Sequence, residues 1–344
     1  MLRDMEPREG AVSVAYGAVN RSKRSLGLDL KKSDAQTIIG RLIQKYDVLV
    51  EGFRSGVMSK LGLGYETLKE LNPALIYCSI TGYGQTGPYS DRAGHDINFV
   101  ALSGSASYTG RKESGPLPLG TQMSDLAGSY NAALGILAAV VSRKLTGRGQ
   151  HIDVSMSDGM LALNVIAGAG FAALGLEPDY EDSILNGGGT YDYYQTCDGR
   201  YFSVGCLEPK FFKRLCEAAG CQNKNTVTKK ELKNIFKTKT FDEWREIFAN
   251  SDACVEPVLK FSEVAEHPHF KARGMFVPVD KRDGNTQRQI AFPVKFSGNG
   301  TDYKHVGPTP GHDTRQVLAE AGFLSEEISE FFRTGVVAAG QKIY

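Results

Sequence analysis

Asp47-Val48-Leu49-Val50-Glu51 and Leu75-Ile76-Tyr77-Cys78-Ser79-Ile80 are two short runs rich in β-branched and aromatic residues, and each reads as a buried strand. Between them lie the loop Gly52-Phe53-Arg54-Ser55-Gly56 and a helical segment from Tyr65 to Leu71, stopped by Asn72-Pro73. Ahead of the first run, Ser33-Asp34 opens a helix whose apolar positions Ile38, Ile39, Leu42 and Ile43 recur at helical spacing. Helix, strand, helix and strand joined by short links specify an α/β fold with a parallel sheet and crossover helices. Ligands of such sheets sit beyond the carboxyl ends of the strands, where Arg54 and the Gly-rich loop from Gly82 to Pro88 fall.

Upstream of this unit, residues 1–25 are polar, with basic groups at Arg21 and Lys23-Arg24, and Leu26 to Leu30 reads as a short strand. Downstream, Ser124 or Asp125 is expected to cap a helix running to about Leu145, and its apolar stretch Ala132 to Val141 marks it as a core helix. That run falls short of the roughly 20 residues a bilayer span requires, so no membrane insertion is expected. Thr146-Gly147-Arg148-Gly149-Gln150 stops the helix, His151 to Ser155 alternates like a strand, and Asp158 starts a Gly/Ala-rich helix to about Leu174. Past Glu177 the pattern turns polar and then Gly-rich. A hairpin follows, Tyr191 to Thr196 and Tyr201 to Gly205 around Asp198-Gly199. Helices over Pro209 to Ala219 and Phe241 to Asn250, and a second hairpin at Asp283-Gly284, complete an α+β section. Two short helices within 311–336 return to the first unit. The expected organisation is a large domain over 1–176, a linker over 177–189, a small α+β domain over 190–300 and a returning segment over 301–344.

The 344 residues are 41% hydrophobic and 23% charged, with a net charge of +1. Such a balance gives no general electrostatic case for nucleic acid or an anionic membrane, so an anionic ligand would need local Arg and Lys groups. None of the six cysteines forms a C-x-x-C pair, and His267 and His269 lack an acidic or Cys partner at ligand spacing. No metal is expected, and the cysteines read as reduced thiols of an intracellular protein. The stretch Met1 to Pro7 has no apolar core of the secretory kind, and Gln341-Lys342-Ile343-Tyr344 is not a peroxisomal tripeptide of the S-K-L type. The default location is cytoplasmic, with a mitochondrial or peroxisomal destination left open.

The chemistry concentrates in Gly94-His95-Asp96-Ile97-Asn98 and Ser124-Asp125-Leu126-Ala127-Gly128. A histidine and a carboxylate thirty residues apart each stand at the start of a candidate helix, where backbone N–H groups favour developing negative charge. An imidazole and a carboxylate facing one oxyanion site can move a proton at carbon. Plainer roles compete: a hydrogen-bonded structural histidine, an N-cap at Asp125, a helix-start charge at Glu208 before Pro209, and solvated surface charges at Lys31, Arg54 and Lys60.

Glu51 to Met58, the Thr81 to Pro88 loop and Thr146 to Gln150 resemble the family III (CaiB/BaiF-type) CoA-transferases, over nearly the whole chain. Gly94-His95-Asp96-Ile97-Asn98, Leu207-Glu208-Pro209, Asp252-Ala253-Cys254-Val255 and Pro257-Val258-Leu259 are similar to its α-methylacyl-CoA racemase branch. The resemblance implies a Rossmann-like parallel-sheet large domain plus a smaller α+β domain, in chains interlocked as a homodimer. It implies inversion of the α-carbon of 2-methyl-branched acyl-CoA thioesters by two-base 1,1-proton transfer through an enolate. His95 and Asp125 would be the two bases, with Glu208 supporting His95. The enolate oxygen needs a preorganised donor, worth roughly 3–4 kcal/mol, and the backbone N–H of Asp96 is the candidate. A carboxylate at Glu208 would raise the His95 pKa and fix its tautomer. Arg54, Lys60 and Lys31 would hold the coenzyme A phosphates, with Gly94 and Tyr83 beside them, and no metal or redox cofactor is required. Relatives often carry Arg where Lys60 stands, which would make that contact a point charge instead of a fork. Relatives also begin with a strand and helix ahead of the Met5-Glu6-Pro7 region, so an open sheet edge is expected here. Two alternatives accompany the racemase: a family III CoA-transferase with Asp125 as nucleophile, its glycine loop echoed by Gly187-Gly188-Gly189, and an inactive truncated CoA-binding protein.

Overall fold

The computed structural model describes residues 2–10, 12–221 and 227–340, so the C-terminal tetrapeptide lies outside the described residues. In the N-terminal half the chain runs α1 (Ser33–Ile43), β1 (Val48–Glu51), α2 (Tyr65–Leu71), β2 (Ile76–Thr81), α3 (Asp96–Leu102), α4 (Met123–Thr146), β3 (His151–Ser155), α5 (Met156–Ala162) and α6 (Val165–Leu174). The strands form a parallel sheet in the order β1–β2–β3, with Val50 opposite Cys78 and Cys78 opposite Ile152. β2 is central and buried at Ile76, Tyr77, Cys78, Ser79 and Thr81, which accounts for its continuous apolar run. Among the described residues β1 pairs on one side only, leaving an open edge with Val50 exposed.

Packing explains the crossovers. α1 buries Ala35, Ile38 and Ile43, while Met58, Leu63, Leu68, Leu75 and Tyr77 close a second cluster with Ile43. α4 lies on β2 and β3 through small residues, Ala132 meeting Cys78 and Val154. A side chain at Gly128 would come within 2.7 Å of Met156, so the close approach requires glycine there. Gly147, at φ 72°, ends the helix in the left-handed conformation.

The main elements that follow are β4 (Asp192–Gln195), β5 (Tyr201–Val204), α7 (Pro209–Ala219), α8 (Lys229–Phe236), α9 (Phe241–Phe248), β6 (Val255–Pro257), the hairpin β7 (Phe276–Asp280) and β8 (Thr286–Ile290), α10 (Thr314–Glu320) and α11 (Ser325–Arg333). β6–β5–β4 is an antiparallel sheet. Its helices enclose an aromatic core of Tyr194, Phe202, Phe236, Phe241, Trp244 and Phe248, in which the indole N–H donates to the Phe236 carbonyl. Leu318, Phe323, Ile328 and Val336 pack against Ile38 of α1, and Val337–Ala338 pairs antiparallel with Gly27–Leu28, so the chain's end rejoins its beginning.

Several expectations are corrected. Neither Ser124 nor Asp125 caps α4; both lie within its first turn, after Gln122. The helix expected from Asp158 to Leu174 is two, α5 and α6, bent by 78°. At the bend Asn164 is buried, its side-chain oxygen accepting from Ser105 and Tyr108 and its amide donating to the carbonyls of Ser103, Met160 and Leu161. Ser155, not Asp158, caps α5. Nor is α4 a core helix within one chain. By length and composition it could cross a membrane, yet one face lies on the sheet, while Tyr130, Leu134, Leu137, Val141 and Leu145 stand exposed on the other. α6 buries no residue at all.

The segment 177–189 is held by polar contacts. Glu181 bonds to Arg111 and Lys229, both of which also bind Asp192 at the start of β4. No disulfide joins any of the six cysteines, and among the described residues no group of three or more His, Cys, Asp and Glu is placed to hold a metal ion.

Candidate functional site

Beyond the carboxyl ends of β1 and β2 the chain leaves a cleft of ≈ 380 Å³. The loop after β1 contributes Gly52, Phe53 and Arg54, and the end of β2 contributes Thr81, Gly82 and Tyr83. Arg92, Gly94, His95 and Phe99 close the far side. Phe99 is the buried floor, its ring edge-on to Tyr83 at 5.0 Å between centroids. Two glycines make room for it: a side chain at Gly82 or at Gly94 would fall 2.5 Å from the Phe99 ring. Gly94 therefore serves the cleft as space, and at 2.9 Å that side chain would also meet the Tyr83 hydroxyl.

His95 is the residue before α3 and is exposed at the cleft wall; its backbone N–H donates to the Asn98 side chain at 3.0 Å. The backbone N–H groups of Asp96 and Ile97 donate to no backbone carbonyl or side chain among the described residues, which leaves them available to an oxyanion. What fixes this helix start against α4 is the Asp96 side chain. Its Oδ1 accepts from the Ser124 N–H at 2.7 Å, the Ser124 hydroxyl at 2.6 Å and the Asp125 N–H at 3.3 Å. The Ser124 hydroxyl also reaches the Asp96 carbonyl at 3.1 Å. The carboxylate thus supplies from α3 the N-cap that the local sequence of α4 lacks, and it sits where the helix dipole favours negative charge.

The same contact ties the first turn of α4, with Asp125, to the helix start that follows His95, although Asp125 itself does not line the cleft. Asp125 is exposed as a residue, yet surrounding protein raises its pKa above the ordinary aspartate range, and the Asp96 charge pushes in the same direction; His95 pulls the other way. A carboxyl that holds its proton more readily, within electrostatic reach of an imidazole, is suited to proton exchange with a bound carbon acid.

The other residues singled out from sequence are distributed more widely. Arg54 and Tyr83 line the cleft. Lys31 and Lys60 lie outside it; Leu30 and Leu61 join one apolar cluster, which brings these neighbouring lysines to the surface around it. Among the described residues, Arg54, Lys60 and Lys31 form no ion pair. Glu208 is the exposed residue before α7 and makes no hydrogen bond or ion pair with His95 within the chain. Sequence reasoning missed the Asp96 side chain, whose partners are distant in sequence. It also missed Arg92, which stacks on Tyr89 at 3.7 Å and joins the cleft wall; its adjacency to Gly94-His95 was the available signal.

The family model that matches, over residues 1–314, is CoA-transferase family III. The chain is 37% identical over 322 residues to human "Alpha-methylacyl-CoA racemase", covering 90% of this chain and 84% of that one. It is 31% identical over 328 residues to the "Succinate--glutarate CoA-transferase" of Agrobacterium fabrum, covering 91% and 82%. A solved CAIB/BAIF family protein from Brucella suis superimposes with a TM-score of 0.81 at 28% identity, covering 93% of this chain and 88% of that one.

Proposed function

This chain belongs to CoA-transferase family III, and on that basis we propose that it is an α-methylacyl-CoA racemase, inverting the α-carbon of 2-methyl-branched acyl-CoA thioesters. One of His95 and Asp125 removes the α-proton, the C–H electron pair moves into an enolate, and the other group delivers a proton to the opposite face. The Asp96 N–H holds the enolate oxygen. The observation that supports the proposal is the hydrogen bonding of the Asp96 side chain to the start of α4, which holds Asp125 close enough to His95 to feel its charge, with the Asp125 pKa raised. Arg54 would take the coenzyme A phosphates at the cleft's other end, with Lys60 and Lys31 beyond it on the surface.

The active form we propose is a homodimer. Tyr130, Leu134, Leu137, Val141 and Leu145 recur every three to four residues along α4, the spacing of a helix seam, and they are exposed together with Val165, Ile166, Phe171 and Leu174 of α6. Glu208 is exposed and bonds to His95 nowhere within the single chain, so in such a dimer its support of His95 would come from the second copy.

Incubation of a single-enantiomer 2-methylacyl-CoA in D₂O tests the chemistry. Label at the α-carbon with loss of optical purity is expected; the absence of both overturns the racemase. Similarity to a CoA-transferase motivates the second reading, acyl transfer with Asp125 as nucleophile. A hydroxylamine-sensitive adduct on Asp125 after exposure to acyl-CoA would decide for transfer.

A further inference from the structure

We propose that the Thr81 hydroxyl is a contact for the pantetheine arm of the bound thioester, hydrogen-bonding one of its amide groups. Thr81 is 6% exposed, and its Oγ1 has no hydrogen-bond partner among the described residues. Only three buried side-chain N or O atoms among the described residues share that condition, and Thr81 alone of the three residues lines the cleft that holds His95. An orphaned buried hydroxyl costs stability, so its persistence at the wall of a ligand cleft points to a partner that arrives with the ligand.

Sheet order says which part of the ligand this is. Thr81 ends the central strand β2 and pairs with Ser155 of β3. Arg54 follows β1 on one flank. α3, whose N-terminus follows His95, packs on α5, and α5 continues directly from β3 on the other. A molecule with its phosphates at Arg54 and its reacting carbon at His95 crosses the carboxyl end of β2, where Thr81 lies. In an acyl-CoA thioester the polar groups between phosphate and sulfur are the pantoyl hydroxyl and, nearer the sulfur, the two amides of pantetheine, each able to donate and accept. The inference rests on the reading of the cleft as an acyl-CoA site.

The test uses Thr81→Val, which keeps the shape and deletes the hydroxyl, and Thr81→Ser, which restores it. Without ligand, Thr81→Val is expected to melt at or roughly 1–3 °C above wild type, because it removes an unpaired polar group. With 2-methylacyl-CoA it should raise KM roughly tenfold with kcat little changed, since an amide contact is made equally before and during the reaction. CoA alone should bind more weakly by a similar factor, and Thr81→Ser should recover most of both. Wild-type KM and CoA affinity in Thr81→Val overturn the proposal. So does a fall in kcat at constant KM, which would place the hydroxyl on the thioester instead. Failure of the wild type to bind CoA would overturn the acyl-CoA reading itself, and this contact with it.

Discussion

Asp96→Ala separates scaffolding from chemistry at this site. The carboxylate Oδ1 takes three hydrogen bonds at the start of α4, and no side chain of α4's own N-cap residue replaces them. Loss of an N-cap costs about 1 kcal/mol, and loss of a negative charge at a helix N-terminus adds some 0.3–1 kcal/mol. The buried Ser124 hydroxyl keeps the Asp96 carbonyl as acceptor, so no full orphan penalty applies. The whole comes to about 2 kcal/mol. For a chain of 344 residues, unfolding cooperatively at about 2.1 cal/mol/K per residue, Tm falls by about 3 °C, readable by scanning calorimetry. Activity should fall further than stability, since a displacement of about 1 Å between reacting groups costs on the order of 100-fold. Asp96→Asn retains the Oδ1 acceptor but removes the charge. Its Tm should stay within about 1 °C of wild type. The Asp125 pKa should drop because its like-charged neighbour is gone, moving the pH–rate limb set by Asp125 to lower pH. An Asp96→Ala protein with wild-type Tm and no activity would refute the capping role, as would an Asn variant as unstable as Ala.

Gly94→Ala places a methyl 2.5 Å from the Phe99 ring; the ring must move, and a loss of about 1–3 kcal/mol by chemical denaturation is expected together with loss of acyl-CoA binding. If Glu208 serves His95 across a dimer, inactive His95→Ala and Glu208→Ala chains refolded together at equal ratio should recover about a quarter of wild-type activity, because half the dimers are mixed and each has one intact site; no recovery places both residues in one chain. Asp313 gives the acid limb of stability: burial works to raise its pKa, but the Arg282 guanidinium, the Ser25 N–H and His312 outweigh it and hold it at about 2, below the ordinary 3.8. With the folded value depressed, this stabilisation is full above the ordinary value and is lost as pH falls through about 2, so Arg282→Met should move the midpoint of acid unfolding to higher pH, followed by circular dichroism.

Where a signal is local, the sequence states the structure closely. α2 spans Tyr65–Leu71 because Asn72-Pro73 ends it, and the β4–β5 hairpin turns at Asp198-Gly199 because Gly199 takes φ 81°. α8 was overlooked although Thr228 and Glu231 form a reciprocal cap ahead of Leu232 and Phe236, a signal that was there to be read. Non-local causes account for the rest. No glycine or proline marks the bend between α5 and α6; Asn164 makes it by bonding to Ser103, Ser105 and Tyr108, some sixty residues upstream. The cap of α4 comes from a carboxylate 28 positions earlier, so Asp125 looked like a cap when it is the capped residue.

The exposed seam on α4 has the same non-local origin, one level higher. A helix apolar on one stripe declares which face is buried, but α4 carries two stripes: Ala127, Ala132 and Ala139 with the close-packing Gly128, and Tyr130, Leu134, Leu137, Val141 and Leu145. Small residues select the sheet for the first, because only they allow the backbone to lie against β3 and α5. The large residues of the second cannot pack there and stand exposed among the described residues, which is why we propose a second packing surface there and not a deeper core. α4 also holds Asp125 in its first turn and is pinned by Asp96 to the helix that follows His95. Whatever covers the seam is therefore rigidly joined to the proposed proton-transfer pair. Assembly and catalysis would share one helix, with affinity at the seam felt as geometry at the α-carbon.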